Sequence, residues 1–388
     1  MKRKLLYLLV VLAMLVLSLP AAMPVAVEAS TTTLYVPDDY STIQEAIDAA
    51  SPGDTIIVKS GTYPENVNVT KPLTIQSENG AASTSVQAAD PSDHVFEITA
   101  DNVTISGFTV RGASVNWSAG IFLAHASHCT ISGNTASNNY RGIQLYDSHD
   151  NIISQNAANS NDADGILVNG SNRNMVSGNT VNANPGSGIA IAQGNDNCIK
   201  GNSVTGSWRG ISFIGAPICY NTISNNTISN NNYGIHAYGA TSNTICSNSI
   251  LNNYWYGICL ENYANDNTIY LNNFNNNWTN VQSNSSINNW NSPETVAYTY
   301  NGNPYQNYLG NYWSDYSEAD DNNDGIGDTP YSIAGDNPDA YPLMQTPDPI
   351  LIPIRQTPWS ISRQHRMPAG SLSTGPVMWL TPSREPLP

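Results

Sequence analysis

Short apolar runs alternate with polar turns through most of this chain, and they return at a nearly constant spacing. A Gly-Ile-x-apolar phrase starts at seven glycines: Gly120, Gly142, Gly165, Gly188, Gly210, Gly234 and Gly257. A second phrase, seen as CTISGN or NTISNN, ends at seven asparagines: Asn134, Asn156, Asn179, Asn202, Asn226, Asn248 and Asn272. Both phrases share a period of ~23 residues, which indicates an internal structural repeat.

Each copy of the repeat predicts strands joined by tight turns. Ile-x-Leu and Thr-Ile-Ser are short, alternating and rich in β-branched residues, as strands are. Gly and Asn between them tolerate the left-handed conformation that sharp turns need. The chain is therefore predicted to be an all-β parallel solenoid, with Ile143 stacked between Ile121 and Ile166. The Gly and Asn content excludes helical repeats, and the consensus of leucine-rich repeats is absent.

Asparagines at one further phase of the repeat predict a ladder of side-chain amides that bond from coil to coil. They are Asn151, Asn174, Asn197, Asn221, Asn243 and Asn267. The two ends of such a stack must be closed, because an open end leaves apolar surface and backbone groups uncovered. An amphipathic helix is predicted from Tyr40 to Ala50, with Ser41 and Gln44 as a capping box. Its Ile43 and Ile47 are expected to cover the first coil.

The pattern divides the chain into five segments. Lys2, Arg3 and Lys4 precede an apolar run and a cleavage pattern before Ser30, which predicts a secretory signal peptide; a retained N-terminal anchor is the alternative. No later segment has the ~20 apolar residues of a membrane span. The mature chain is therefore expected to be secreted, at the cell surface, or periplasmic in a Gram-negative cell. The segments are 1–29 (signal peptide), 30–112 (N-terminal cap and irregular first rungs), 113–280 (regular repeats), 281–345 (C-terminal cap) and 346–388 (a Pro-rich, disordered tail).

Charge is sparse and one-sided. The whole chain has 14 Lys and Arg against 30 Asp and Glu, a net charge of −16. Such a surface excludes nucleic acid as a partner, because few cations are available to neutralise phosphates, and it suits divalent cations or cationic partners. The five cysteines form no CxxC pair, which favours small buried fillers over a disulfide framework.

Two stretches and the repeat itself resemble a known family. STIQEAIDAASPGDTIIVKSGTYPENVNVTKPLTIQSENG resembles the opening of right-handed parallel β-helix proteins, including pectin methylesterases. The rungs resemble the NosD-type β-helix, named for a periplasmic accessory protein of nitrous-oxide reductase. NYLGNYWSDYSEADDNNDGIGDTPYSIAGDNPDAYPLM is similar to the end of NosD-like cell-surface proteins of archaea and bacteria.

The resemblance covers Tyr35 to Met344 and implies a right-handed parallel β-helix with an N-terminal capping helix. It also makes a copper-handling accessory protein one alternative function. It does not select the function by itself, because one solenoid hosts lyases, hydrolases and adhesins. The chain has no DFIFG-like strand, so the chemistry of the pectin methylesterases is not carried over.

Aromatic residues collect on one side of the coil toward the C-terminal end. Aligning the repeats places Tyr140, Trp208, Tyr233, Trp255 and Tyr256 near the repeat glycines. Exposed rings beside amides suit stacking against a sugar or burial against a protein. The leading hypothesis is therefore a secreted or cell-surface protein that binds a polysaccharide or an envelope glycoprotein, with a structural or adhesive role.

The competing hypothesis is a polysaccharide lyase or glycoside hydrolase. Arg141 and Asp164 both precede a repeat glycine, and Asp162 is close to them in sequence. A base and a charge stabiliser that flank a sugar would explain this group. An ordinary salt bridge between rungs explains the same pair, and we favour it.

Two metal sites are predicted from the sequence, and the weaker is a copper or zinc site. The repeat brings His125, His128 and His149 to one corner of the coil, together with Asp147 and Asp150. Imidazoles and carboxylates there are donors for copper or zinc. Their spacing matches no established ligand motif, so solvated turn residues are the favoured interpretation.

The stronger metal motif is a calcium loop in the C-terminal cap. Asp320, Asn322, Asp324 and Asp328 occupy positions 1, 3, 5 and 9 of an EF-hand-type loop, and Ile326 supplies the carbonyl at position 7. The usual glutamate at position 12 is replaced by Tyr331, so Asp336 or Asp339 is expected to supply the missing ligand. The alternative is a polar turn that binds no ion.

Calcium is expected to raise the melting temperature of the protein. A ligand at 100 times its dissociation constant stabilises the folded state by about 2.7 kcal/mol. Thermal unfolding is measured with calcium and with EDTA, for the wild type and for Asp324→Asn. Asp266→Asn is the matched control outside the loop. A melting temperature that EDTA leaves unchanged contradicts the site.

Overall fold

Three parallel sheets, A, B and C, run through almost the whole folded chain. The computed structural model describes residues 31–215 and 218–347. The chain visits the three sheets in turn, and each strand pairs with strands of the preceding and following coils. This arrangement confirms the predicted parallel β-helix. The predicted signal peptide and residues 348–388 of the predicted tail lie outside the described residues.

Sheets A and B have 11 strands each, and sheet C has 10. Sheet A contains Thr33–Val36, Thr55–Val58, Thr74–Ser77, Thr104–Ser106, Thr130–Ser132, Ile152–Ser154, Met175–Ser177, Cys198–Lys200, Thr222–Ser224, Thr244–Cys246 and Thr268–Tyr270. Sheet B contains Gly61–Pro64, Thr84–Gln87, Thr109–Arg111, Thr135–Ser137, Ala157–Asn159, Thr180–Asn182, Ser203–Thr205, Thr227–Ser229, Ser249–Leu251, Asn273–Asn275 and Tyr312–Trp313. Sheet C contains Val67–Val69, Phe96–Ile98, Ala119–Ala124, Arg141–Tyr146, Ile166–Asn169, Ser187–Ala192, Arg209–Ile214, Tyr233–Tyr238, Tyr256–Glu261 and Thr279–Ser283.

Two smaller strand pairs accompany the three sheets. Ile218–Cys219 pairs in parallel with Ala240–Thr241. Val296–Tyr300 and Asn303–Asn307 form an antiparallel hairpin in the C-terminal cap.

The core is a set of aliphatic columns that run along the axis of the coil. Ile143 pairs with Ile121 on one side and Ile166 on the other, as the repeat predicts. All three side chains are fully buried. Each buried isoleucine contributes about 1.5–3 kcal/mol of transfer free energy, so the stack is stabilised by many equal increments.

Asparagine side chains form ladders at the corners of the coil, and two of them run through six or more bonds. The predicted ladder is confirmed, and it extends by one more residue, Asn288. A second ladder uses the asparagines that end the second phrase and finishes on Asn311. A third is interrupted: one part begins at Asn139 and the other at Asn231.

Glycines and asparagines between the strands, among them Gly133 and Asn138, take the left-handed conformation at the turns, as predicted. The seven repeat glycines have a different role, which is close packing between coils. A Cβ on Gly142 would lie 2.5 Å from the carbonyl oxygen of Gly165 and 2.9 Å from Nδ2 of Asn161. These glycines are required because neighbouring coils and the ladder amides approach closely. The left-handed turn positions are mostly polar residues, among them Gln155 with φ 56°.

The N-terminal end is closed by helix α1 (Ile43–Ala49), as expected, but its cap differs from the prediction. Thr42 is the N-cap and Glu45 completes the capping box, in place of Ser41 and Gln44. Ser41 instead donates its hydroxyl to Glu45. The buried face of the helix includes Ile43 and Ile47, as predicted.

Stacked aromatic rings close the C-terminal end. Trp313 stacks on Phe274 at 4.5 Å and on Tyr331 at 4.3 Å, and its indole N–H donates to Asp339 at 2.9 Å. Burial raises the pKa of Asp339 to about 6, although Asn311 and Tyr341 also donate to its carboxylate. The cap therefore combines ring stacking with one fully enclosed carboxyl group.

Replacing a single ladder asparagine is expected to cost about 3 kcal/mol or more of unfolding free energy. In Asn179→Ala the backbone N–H and side-chain amide of Asn156 both lose their acceptor, and the carbonyl of Ile153 loses a donor. Urea unfolding measures the change. Thr180→Ala, at the exposed next position, is the control and should stay within about 0.5 kcal/mol of the wild type. Equal effects of the two substitutions would contradict a structural role for the ladder.

Candidate functional site

The outer face of sheet C carries side chains in columns that follow the axis of the coil. The front column consists of the residues just before each repeat glycine: Ala119, Arg141, Asp164, Ser187, Arg209, Tyr233 and Tyr256. The middle column lies beside it in register: Phe122, Gln144, Leu167, Ala190, Ser212, His236 and Cys259. Because strands alternate, the middle-column positions, each one residue after a core isoleucine, face away from the core. Short side chains fill the middle of the face, and larger groups lie on both sides of them.

The first group, the Arg141 cluster, is built around one arginine. The guanidinium carbon of Arg141 lies 5.0 Å from the ring centre of Trp117 and 5.2 Å from that of Tyr140. Its Nη1 donates to Gln144 at 3.1 Å, and its Nε lies 3.5 Å from a carboxylate oxygen of Asp164. Arg141 is only 8% exposed. The positive charge of Arg141 therefore interacts with groups inside the protein, and the guanidinium holds the two aromatic rings in place.

The three residues predicted as catalytic do not form one group. Asp164 approaches Arg141, and its other oxygen accepts the backbone N–H of Ser187 in the next coil. Asp162 is exposed on the preceding turn and makes only a backbone contact with Asn139. The contacts of Asp164 are those of a structural link between coils, which is the interpretation that the sequence favoured.

The second group, the aromatic cluster, contains four of the five predicted aromatic residues. Trp208 lies 4.9 Å from Trp255, and Tyr233 lies 5.3 Å from Trp255 and 5.6 Å from Tyr256, measured between ring centres. Trp208 and Trp255 are 39% and 42% exposed. The fifth residue, Tyr140, belongs to the Arg141 cluster. The predicted aromatic side is thus two clusters, with Arg141 and Arg209 three rungs or ~14 Å apart.

A hydrogen-bonded chain of polar groups lies beside the aromatic cluster. Arg209 donates its Nε–H to Nδ1 of His236 at 3.0 Å, and Nε2 of His236 lies 3.1 Å from Glu261. Because Arg209 is only a donor, Nδ1 of His236 is the acceptor and Nε2 carries the proton toward Glu261. Burial lowers the pKa of His236, so the ring is neutral at pH 7.

Cys259 also belongs to this group, so the group contains three types of side chain that can ligate a metal ion. Among the described residues, three metal-ligating side chains converge within 4.8 Å at His236, Cys259 and Glu261. Burial, followed by the nearby charge of Glu261, raises the pKa of Cys259 to about 12, so it is a neutral thiol. All five cysteines are free: Cys129, Cys246 and Cys259 are buried, and Cys198 and Cys219 are half-buried.

The arrangement at His236 does not fit a copper ion. Copper requires an unprotonated ring nitrogen and favours thiolate sulfur. Nδ1 of His236 already accepts the Nε–H of Arg209, whose guanidinium places a positive charge next to the site. The residues are instead arranged to fix Arg209 and His236 relative to each other.

The three histidines predicted as weaker ligands belong to no group of three ligating side chains within 4.8 Å among the described residues. His125 and His149 each approach Asp147, at 3.0 and 3.4 Å. Nδ1 of His149 accepts the backbone N–H of Asn172. His128 has φ 60° and, like His125 and Asp147, occupies a left-handed corner of the coil. These contacts agree with the favoured interpretation of solvated turn residues.

The predicted calcium loop is a compact turn on the C-terminal cap. The carboxylate of Asp320 accepts the backbone N–H groups of Asp324 and Gly325, and Asp324 accepts that of Ile326. Asp328 accepts the N–H of Asp321. Calcium binding at Asp320, Asn322, Asp324, Ile326 and Asp328 stays a prediction.

The two carboxylates proposed as the missing calcium ligand, Asp336 and Asp339, are both hydrogen-bonded to other groups of the protein. Asp339 is fully buried under Trp313. Asp336 accepts hydrogen bonds from Ser283 and from both the backbone and the side chain of Asn288. Both hold the cap onto the last coils.

Sequence reasoning missed Trp117, His236, Cys259 and Glu261, and it left Arg209 without a role. The sequence signal for three of the middle-column residues is their place two residues after a repeat glycine, which puts Gln144, His236 and Cys259 in one column. The contact of Trp117 with Arg141 has no comparable signal, because Trp117 lies in a turn outside the regular repeat.

Opposite substitutions next to His236 are expected to move its pKa in opposite directions. Arg209→Gln removes a positive neighbour and should raise the pKa; Glu261→Gln removes the negative charge beside the ring N–H and should lower the pKa further. Nitrogen-detected NMR titration of the imidazoles measures both pKa and tautomer. An unprotonated Nε2 at neutral pH would contradict the assigned tautomer and would reopen the site to metal.

Known proteins resemble this chain in sequence and in fold. A cell surface glycoprotein of Methanothermus fervidus is 36% identical over 129 residues, which are 33% of this chain and 21% of that protein. This chain therefore matches about a fifth of its relative's length. Within residues 31–215 and 218–347, no helix has the length and hydrophobicity needed to cross a membrane.

Two solved structures share the fold. The Dettilon tailspike protein has a TM-score of 0.52 and 16% identity, over 66% of this chain and 67% of that one. ORF18 of Geobacillus virus E2 has a TM-score of 0.54 and 13% identity, over 71% and 68%. At this identity the likeness shows the fold alone.

Residues 47–218 and 216–318 match the family model described as periplasmic copper-binding protein (NosD). Because this match covers most of the chain, the protein belongs to the NosD family of parallel β-helix proteins.

Proposed function

We propose that this protein works outside the cytoplasm and binds a polysaccharide along the outer face of sheet C. The observation that carries the proposal is the aromatic cluster of Trp208, Tyr233, Trp255 and Tyr256, partly exposed on a rigid sheet. Aromatic rings pack against the apolar faces of sugars and bring large contact area. Since the coils already fix the rings, binding orders few additional side chains.

The location rests on three separate supports. The predicted signal peptide directs the chain out of the cytoplasm. The family is described as periplasmic, and the relative from Methanothermus fervidus is named a cell surface glycoprotein. We infer an extracellular or periplasmic protein of the cell envelope.

Binding is favoured over catalysis by the spacing of the acidic groups. The carboxylates that approach Arg141 and His236 are Asp164 and Glu261. Four rungs separate them, or ~19 Å, whereas glycoside hydrolases place their two carboxylates about 5–9.5 Å apart. A lyase or hydrolase is therefore the second candidate.

Removing either indole of the aromatic cluster is expected to weaken polysaccharide binding on the order of tenfold, as at other aromatic hot spots. Trp208→Ala and Trp255→Ala are compared with the wild type by retention on immobilised polysaccharides and by calorimetry with the retained ones. Tyr220→Ala removes an aromatic ring that is 65% exposed at another corner, and is the matched control.

Three outcomes are informative. Binding that both indole variants lose, and that Tyr220→Ala keeps, supports the proposal. Retention of no polysaccharide from a broad panel of neutral and acidic polymers overturns it. Release of shorter sugars during incubation, lost in Arg141→Ala and Asp164→Ala, replaces it with the enzymatic alternative.

A further inference from the structure

Arg209 lies on the outer face of sheet C, and no acidic side chain of the described residues forms an ion pair with its guanidinium. Its Nε–H is bound to His236, and its Nη groups make no hydrogen bond or ion pair with the described residues. No carboxylate of the described chain lies within 4.0 Å of its guanidinium. The terminal edge of the guanidinium is therefore available to a ligand.

Other cations of this acidic chain show the contrast. Arg173 binds Asp150 through two hydrogen bonds, and Lys59 pairs with Asp38. Lys71 donates to three backbone carbonyls around the end of helix α1. Arg141, the other cation of this face, is buried between two rings. Arg209 differs because no carboxylate of the described residues pairs with it and because it lies next to the proposed sugar platform on the outer face of sheet C.

The neighbours of Arg209 hold it in position without neutralising it. His236 accepts from Nε, and Glu261 fixes the tautomer of His236 from the far side of the ring. Trp208 precedes Arg209 in the chain, and Tyr233 follows it in the front column, 5.3 Å from the His236 ring. Apolar rings on both sides reduce the local water, which strengthens a charge-assisted hydrogen bond.

We propose that the ligand is an acidic polysaccharide, and that Arg209 binds the carboxylate of a uronic acid whose neighbouring sugar stacks on the aromatic cluster. This inference rests on the proposed function and names its ligand class. A planar guanidinium with two free Nη groups matches a carboxylate with two parallel hydrogen bonds. The net charge of −16 makes the recognition local, because the rest of the chain repels an acidic polymer.

The experiment measures calorimetric binding of the full mature chain to three matched probes. They are a uronic-acid oligosaccharide, the same oligosaccharide with its carboxyl groups reduced to alcohols, and a sulfated neutral oligosaccharide. The wild type should bind the uronic acid about 10- to 100-fold more tightly than the reduced probe, as the loss of a charged hydrogen bond predicts.

The variants separate specific recognition from net charge. Arg209→Gln should lose about 10- to 100-fold for the uronic acid and change less than about twofold for the reduced probe. Arg209→Lys keeps the positive charge but cannot form two parallel hydrogen bonds to a carboxylate. Its affinity for the uronic acid should therefore lie between that of the wild type and that of Arg209→Gln. Arg111→Gln makes the same charge change at an exposed position on sheet B, and should bind as the wild type does. Circular dichroism and melting curves confirm that each variant is folded.

The possible results divide the two proposals. Equal binding of the acidic and reduced probes, or full uronic-acid binding by folded Arg209→Gln, overturns the role of Arg209 and leaves polysaccharide binding intact. Binding of the sulfated probe alone overturns the carboxylate assignment. If no polysaccharide, neutral or acidic, binds to the protein, the proposed function itself is overturned.

Discussion

The close stacking of coils depends on one constraint: every buried amide at a corner must find its partners in the next coil. Each ladder asparagine accepts from the backbone and side chain of the preceding asparagine and donates onward. A slip of register would leave a column of buried polar groups unpaired, at a cost of about 1–3 kcal/mol for each. The same close approach of the coils leaves no room for a side chain at the repeat glycines, because a Cβ there would meet the amide nitrogens of ladder asparagines. The asparagine ladder therefore depends on the column of glycines.

That constraint leaves the outward positions of sheet C free to vary, and their chemistry changes along the axis. The Arg141 cluster buries its charge between rings, short side chains follow, and the aromatic cluster then lies beside Arg209 and His236. Because the scaffold holds each strand in place, groups from three coils meet without any loop that must fold on binding. This rigidity is what makes the face suited to an extended ligand.

Electrostatics bears on the choice between copper and polysaccharide as the ligand. A copper ion is repelled by a neighbouring positive charge, and the group at His236 includes the guanidinium of Arg209. The same features, which work against a cation, favour an anion. In a chain with so few cations, the location of one unpaired arginine beside four aromatic rings carries more information than the net charge does.

The sequence by itself determined the period, the isoleucine columns, the predicted asparagine ladder and the existence of both caps, because each follows from a pattern repeated at fixed spacing. Local choices between neighbouring residues were less secure: Thr42 rather than Ser41 caps the helix, since the helix begins one residue later than its polarity suggested. Only the tertiary structure decided which side chains meet between coils. Trp117 reaches Arg141 from an irregular turn, and Arg209 meets His236 one coil away. Such contacts depend on side-chain length and direction across a sheet, which spacing along the chain does not specify.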